Sequence, residues 1–147
     1  MGSREDVVRV ARNWLGTPYV HQASLRGAGS DCLGLIRGVW RELLGSEPEV
    51  APPYSMDWSE PQGEERLWTA ATRHLIAKPK TEMSEGDVVL FRMRAGSVAK
   101  HLGILSVTGP DAKFIHAYSG HGVVENALSV PWRRRIVGCF EFPLEVR

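Results

Sequence analysis

The sequence predicts an α+β fold in which N-terminal helices pack on a mostly antiparallel β-sheet. Apolar residues recur at helical spacing in the first half of the chain, and short β-like runs separated by turn signals follow Gly86. Helices that precede the strands, rather than alternating with them, favour an antiparallel sheet. A chain of 147 residues with 43% hydrophobic residues has about the length of one domain. We therefore expect residues 1–147 to form a single domain.

Apolar residues at helical spacing predict one helix near the start of the first half of the chain and another near its end. Residues 4–15 predict a first helix, with Ser3 and Asp6 placed as a capping pair, and residues 67–75 predict a later one. Four prolines between residues 46 and 63 exclude a continuous helix or a central strand there. That segment is expected to be a long surface loop, and the sequence leaves open whether it gates a groove or anchors the protein.

Five short runs in the second half predict the strands of the sheet, namely DVVLF, HLGILSV, KFIHAY, GVVEN and RIVGCFEF. The turn signal TGPDAK predicts a hairpin that brings His101 and His116 onto neighbouring strands. The period of two in a strand places His101 on the same side as Gly103. We expect the second helix to pack its N-terminus against that face.

A helix that begins on a cysteine is the most informative local feature of the chain. In the stretch GSDCLGLIRGVW, Ser30 or Asp31 is placed as the N-cap and Cys32 opens the helix. Free N–H groups and the partial positive charge at a helix start stabilise a thiolate, but only by about 2 kcal/mol at most. A second positive group is therefore needed, and His101 and His116 are the candidates. His116 could hold the far ring nitrogen of His101, which gives a Cys–His–His relay.

The relay places conditions on the groups around the thiol. His116 must be neutral to accept a proton from His101, so activity is predicted to fall in the ordinary pKa range of histidine. A carboxylate beside the thiol would raise the pKa of that thiol. Asp31 is therefore interpreted as an N-cap rather than as a catalytic acid.

Composition argues against several classes of protein. The 18 Lys and Arg residues against 17 Asp and Glu leave a formal charge of +1, and no basic stripe interleaved with aromatic residues suggests nucleic-acid binding. No apolar window reaches the roughly 18 residues of a membrane span, and the N-terminal residues lack the apolar core of a signal peptide. Neither a nucleic acid nor a membrane is expected as a partner.

Four motifs, taken in order, resemble the NlpC/P60 family of papain-like cysteine peptidases, which cleave bacterial cell-wall peptides. These motifs are GTPYVHQASLRGAGSDCLGL, GDVVLF, HLGIL and FIHA. The resemblance implies a papain-like fold of the NlpC type. It also implies that Cys32 is the nucleophile, that His101 is the base, and that His116 orients His101.

The stretch ahead of the cysteine both matches and departs from that family. Tyr19 matches a family tyrosine that contributes to the site, and it is a candidate oxyanion donor. The segment VHQAS and Leu33 replace the residues that most members carry, so His21 and Gln22 are expected to form a wall of the groove. With these departures the chain resembles the tail-associated peptidases of phages and gene transfer agents.

The resemblance implies hydrolysis of peptidoglycan peptide stems through a thioester. The implied bond joins the side chain of D-glutamate to a diamino acid such as meso-diaminopimelate, and no metal or organic cofactor is implied. Expected partners are the peptide stems and the tail or baseplate proteins of a phage-like particle. The protein would be made in the bacterial cytoplasm without a signal peptide and would act in the periplasm.

Three alternatives to a peptidase remain open at this point. Cys32, His101 and His116 form a ligand set that zinc accepts, although no close pair spacing or nearby general-base glutamate accompanies them. A structural or wall-binding module could keep the fold without the chemistry. The same thioester could also serve an acyltransferase that uses an amine or a lipid as acceptor.

Overall fold

A computed structural model describes residues 3–49 and 65–144. Over these residues it contains four α-helices, eight β-strands and a short 3-10 turn at Lys80–Glu82. The helices are α1 (Arg4–Arg12), α2 (Cys32–Leu44), α3 (Arg66–His74) and α4 (Val130–Arg134). The strands are β1 (Ser24–Leu25), β2 (Gly29–Ser30), β3 (Ile76–Lys78), β4 (Val88–Phe91), β5 (His101–Val107), β6 (Lys113–Tyr118), β7 (Gly122–Ala127) and β8 (Ile136–Glu141). Most of the predicted loop at 46–63 lies outside the described residues.

Helix α1 begins where its local sequence predicts. The Ser3 hydroxyl accepts a hydrogen bond from the Asp6 N–H at 3.1 Å, and the Asp6 carboxylate accepts one from the Ser3 N–H at 3.2 Å. This capping box confirms the predicted pair. The helix ends three residues before the predicted end, because residues 13–16 form a turn that closes at Gly16 with φ of 88°.

Six strands form one antiparallel sheet in the order β3–β8–β4–β5–β6–β7. All five predicted runs are strands of this sheet, and β5 and β6 form the predicted hairpin with Leu105 opposite Phe114. The sequence did not predict β3, α4 or the separate hairpin of β1 and β2. Each of these elements spans only two to five residues, too few to show a periodicity.

The two faces of the sheet carry separate apolar cores. One core joins α1 and α2 to strand residues such as Leu102 and Ile104. The other core contains Phe91 and Phe114, with Trp132 packed against it. Because Phe91 pairs with His101 in the register, His101 projects from this second face. The apolar stripe of α2 covers the opposite face, whereas Cys32 at the N-terminus of the helix shares a pocket with His101.

Within residues 3–49 and 65–144, no helix has the length and apolar character needed to cross a lipid bilayer.

Candidate active site

Asp31 caps α2 and also holds the loop in front of it. Its Oδ1 accepts a hydrogen bond from the Gly34 N–H at 2.7 Å, and its Oδ2 accepts one from the Gln22 N–H, also at 2.7 Å. Gln22 has φ of 67°, a left-handed conformation that most side chains disfavour. The hydrogen bond that Asp31 accepts from Gln22 stabilises that turn. The N-cap interpretation of Asp31 is thus confirmed, and its carboxylate is occupied by backbone groups.

The Cys32 thiol lies at the start of α2, close to the beginning of β5. Its Sγ is 3.8 Å from the carbonyl oxygen of Lys100, and the residue is buried. Burial and, to a smaller extent, the charge of Asp31 raise the pKa of the thiol to about 12, while nearby backbone N–H groups oppose the shift. The helix start stabilises the thiolate as expected, but burial and Asp31 outweigh it. The resting thiol is therefore protonated at neutral pH.

His101 and His116 form a direct hydrogen bond between rings. His101 Nε2 lies 2.7 Å from His116 Nδ1, so the two rings are in direct contact. Burial and the neighbouring His116 lower the pKa of His101 to about 3. Burial also lowers the pKa of His116 to about 4, against an opposing hydrogen bond to Asn126. Both rings are therefore neutral at neutral pH. The loss of activity in acid, which the sequence predicted in the ordinary pKa range of histidine, is now expected near pH 4.

Aromatic side chains on the second face account for the low pKa values of the pair. The ring centroid of Trp132 lies 5.7 Å from that of His101 and 5.1 Å from that of His116. Phe114 packs against His116 with ring centroids 4.2 Å apart. These rings remove water from the imidazoles, which disfavours the protonated forms.

A pocket of about 140 Å³ joins Cys32 to His101 at the start of β5. It is lined by Cys32 and His101 and, among others, by Tyr19, His21, Lys100 and Tyr118. Gln22 was expected to form a wall of the groove together with His21, but it does not line this pocket. Its backbone N–H donates to the Asp31 carboxylate instead. A larger cavity of about 640 Å³ between α2 and α3 is lined by none of the residues in the proposed relay.

Asn126 is part of the site, although no sequence pattern predicted it. Its Oδ1 lies 2.7 Å from Nε2 of His116, at the far side of the histidine pair from the thiol. The stretch GVVEN carries no motif that marks this asparagine. Only the pairing of β6 with β7 brings it beside His116.

The hydrogen bonds of His116 argue against a zinc site formed by Cys32, His101 and His116. His116 uses one ring nitrogen for His101 and the other for Asn126, so it has no nitrogen left for a metal in this arrangement. Across the part of the chain that the structure describes, no group of three or more His, Cys, Asp or Glu residues has a metal-binding arrangement. Zinc binding by Cys32, His101 and His116 is not supported.

The fold and the site together define a class of protein. An antiparallel sheet with a cysteine at the start of a packed helix, beside a histidine at the start of a strand, is the arrangement of the papain-like fold. Within that class the chain belongs to the NlpC/P60 family, whose profile matches residues 16–141. The family includes peptidoglycan hydrolases and endopeptidases.

Two curated relatives share more than a quarter of the aligned residues. The gamma-DL-glutamyl hydrolase of Bacillus subtilis (strain 168) is 28% identical over 137 residues, covering 92% of this chain and 29% of that protein. The probable endopeptidase NlpC of Escherichia coli (strain K12) is 27% identical over 124 residues, covering 84% of this chain and 68% of that protein. The chain thus spans less than a third of the first relative and about two thirds of the second.

Solved structures agree in fold at lower identity. The NlpC/p60 domain of the peptidoglycan hydrolase SagA superposes with a TM-score of 0.65 at 21% identity, covering 96% of this chain and all of that one. An NlpC/P60 family protein from Bacillus cereus ATCC 10987 superposes with a TM-score of 0.66 at 18% identity, covering 96% of this chain and 40% of that one. These superpositions support the α+β, papain-like fold class.

Proposed function

We propose that this chain is a cysteine endopeptidase that hydrolyses peptide stems of peptidoglycan. The observation that carries the proposal is the pocket shared by Cys32 and His101, with the far nitrogen of His101 already bonded to His116. That bond leaves Nδ1 of His101 as the nitrogen available to the thiol. Membership of the NlpC/P60 family supports the same assignment of roles.

The first half of the reaction is transfer of the acyl group to sulfur. His101 takes the thiol proton as Sγ of Cys32 attacks the amide carbonyl, since neither group is ionised beforehand. A carbon–sulfur bond forms, the carbon–nitrogen bond breaks, and the amine leaves with the proton from His101.

Water completes the cycle. A water molecule gives a proton to His101 and attacks the thioester, which releases the carboxylic acid and returns the proton to the thiol. The backbone N–H of Cys32 and the Tyr19 hydroxyl are the proposed donors to the oxyanion. Burial, followed by the nearby Cys32 and Asp31, raises the pKa of Tyr19 to about 12, so its hydroxyl keeps the proton that it must donate.

The proposed scissile bond joins the γ-carboxyl of D-glutamate to a diamino acid such as meso-diaminopimelate. A relative named gamma-DL-glutamyl hydrolase supports a γ-glutamyl substrate class. His21, which lines the pocket, is proposed to contact the peptide stem.

Digestion of purified Gram-negative peptidoglycan tests the activity and the nucleophile together. The wild type, Cys32→Ala and Cys139→Ala are compared, with products identified by mass spectrometry. Cys139 is a matched control because it is a second buried cysteine that lies in β8, outside the pocket. New D-glutamyl–diaminopimelate cleavage is expected with the wild type and Cys139→Ala and not with Cys32→Ala. Intact peptidoglycan with a folded wild type would overturn the proposal.

We further propose that residues 1–147 act as one catalytic domain carried on the tail of a phage or gene transfer agent, with access to the periplasm. The departures VHQAS and Leu33 motivate this setting. Proteomic analysis of particles purified from the source bacterium tests it. Enrichment with tail proteins would support the setting, whereas recovery only in particle-free fractions would contradict it.

A further inference from the structure

Asn126 occupies the outer end of a chain of hydrogen bonds that begins in the pocket. In the antiparallel register, His116 lies opposite Val124 and Phe114 lies opposite Asn126, so Asn126 is a diagonal neighbour of His116 on the same face. Asn126 Oδ1 is 2.7 Å from His116 Nε2, and His116 Nδ1 is 2.7 Å from His101 Nε2. The three side chains are thus connected in series on β7, β6 and β5.

The asparagine oxygen determines which group donates and which accepts in each hydrogen bond of this series. A carbonyl oxygen only accepts, so the proton between Asn126 and His116 belongs to Nε2 of His116. A neutral imidazole carries one N–H, so Nδ1 of His116 must accept the next bond. His101 then donates through its Nε2–H, and its Nδ1 keeps the lone pair that a base requires. If the amide were reversed, its NH2 group would donate to Nε2 of His116, and His116 would donate through Nδ1 to Nε2 of His101. The proton of neutral His101 would then lie on Nδ1, which could no longer act as the base.

We infer that Asn126 is a positioning residue that selects the Nε2–H forms of both His116 and His101 and so presents Nδ1 of His101 as the base for Cys32. This inference rests on the proposed peptidase function. It adds a residue that touches neither the substrate nor the thiol and that acts through His116.

A neutral amide suits this role better than a carboxylate would. Both an amide oxygen and a carboxylate accept from Nε2 of His116, but a negative charge also favours the protonated ring. The titratable neighbours of His116 are His101 on β5 and His121 in the turn before β7, and Tyr118 packs against the ring at 5.4 Å. Asn126→Asp places a negative charge beside His116, so this variant is expected to raise the pKa of His116.

Two variants separate the proton-directing role from a structural one. Asn126→Leu keeps the approximate size but removes the acceptor, and kcat is expected to fall about 10²-fold with KM little changed. Asn126→Asp restores an acceptor, so kcat near neutral pH should recover while the acid limb moves to higher pH by about one unit or more. Glu125→Gln is the matched control, since the adjacent Glu125 contacts Arg12 and Ser106 and is expected to leave kcat unchanged.

Nitrogen-15 NMR of the histidine rings in the wild-type protein reads the protonation directly. Nε2–H forms of both His101 and His116 support the inference, and a proton on Nδ1 of His101 overturns it. Full kcat in a folded Asn126→Leu also overturns it. Because the spectrum needs no substrate, the inference remains testable if the wild type fails to cleave peptidoglycan or if Asn126→Leu does not fold.

Discussion

Cys32 and His101 have pKa shifts of opposite sign from the same principal cause, which is burial. The pKa of the thiol rises to about 12 and that of the imidazole falls to about 3. Both shifts favour the neutral form, so the resting site holds a thiol and an imidazole rather than a thiolate and an imidazolium. Proton transfer is therefore expected to accompany attack on the substrate.

The first prediction concerns alkylation of Cys32 by iodoacetamide. Because the thiolate reacts and the thiol does not, the rate should rise about tenfold per pH unit between about pH 6 and pH 9. The measurement uses Cys139→Ala protein, so that the label reports Cys32 alone, and follows mass increase with time. A rate that stays flat over this range would indicate a preformed thiolate and contradict the prediction.

The second prediction concerns the effect of pH on stability. His101 and His116 are expected to have pKa values near the ordinary 6.5 when unfolded, but the folded protein lowers them to about 3 and about 4. The unfolded chain therefore binds more protons below about pH 6.5, and the free energy of unfolding should fall by at least about 1.4 kcal/mol per pH unit as the solution is acidified. The contribution of the pair is fully present above pH 6.5.

Urea unfolding at several pH values below neutral measures this slope. His116→Gln is the comparison, because it removes one of the two buried titrating rings while keeping a polar side chain. A smaller slope in His116→Gln is expected. Equal slopes in the two proteins would show that the acid sensitivity arises elsewhere.

Among the elements, β5 brings the parts of the site together. It begins with His101, and the carbonyl of the residue before it lies near the Cys32 thiol. In its middle, a Cβ atom on Gly103 would lie 2.8 Å from the Phe114 ring and 3.4 Å from Cβ of His116. A glycine at this position allows β6 to approach with His116 in contact with His101.

The third prediction is that Gly103→Ala lowers kcat by about tenfold or more, because the added methyl group clashes with the Phe114 ring, which packs against His116. Gly138→Ala in β8 is the matched control, since its Cβ would lie 3.0 Å from the edge of the Phe140 ring, outside the pocket. Both variants are expected to lose about 1–3 kcal/mol of stability through overpacking. Equal kcat losses in the two folded variants would argue against a specific role of Gly103.

At the scale of the whole molecule, one buried carboxylate connects the N-terminal helix to the edge strand β3. Asp87 is fully buried and accepts from Arg4 of α1 at 2.7 Å and from Lys78 of β3 at 3.0 Å. Arg4 also contacts Glu141 of β8 at 2.8 Å. This cluster joins segments that are far apart in the chain, and none of its members lines the pocket.

The fourth prediction is that Asp87→Asn lowers the free energy of unfolding by about 3–5 kcal/mol, because it removes the nearer carboxylate of the largely buried Lys78 and leaves it only Glu141 at 3.8 Å. Urea unfolding measures the loss, and kcat of the folded fraction should be retained. Asp6→Asn, which alters the capping pair at the surface, should cost much less. Similar losses in both variants would show that burial of the Asp87 cluster contributes little.

Much of the architecture could be predicted because its signals are local. The capping pair at Ser3, the N-cap at Asp31 and the alternation in the strands each depend on residues a few positions apart. The neighbouring placement of His101 and His116 followed from one hairpin. The digestion tests the role predicted for Cys32, and the NMR spectra test the protonation predicted for His101 and His116.

The sequence by itself determined where the main helices and strands begin and which residues stand at the start of α2 and β5. Tertiary structure decided which face of the sheet α2 covers, that the thiol and the imidazoles are neutral, and that Asn126 meets His116. The physical reason is that desolvation and cross-strand contact depend on residues distant in the chain. Local spacing places a cysteine at a helix start, but only packing sets the pKa of its thiol.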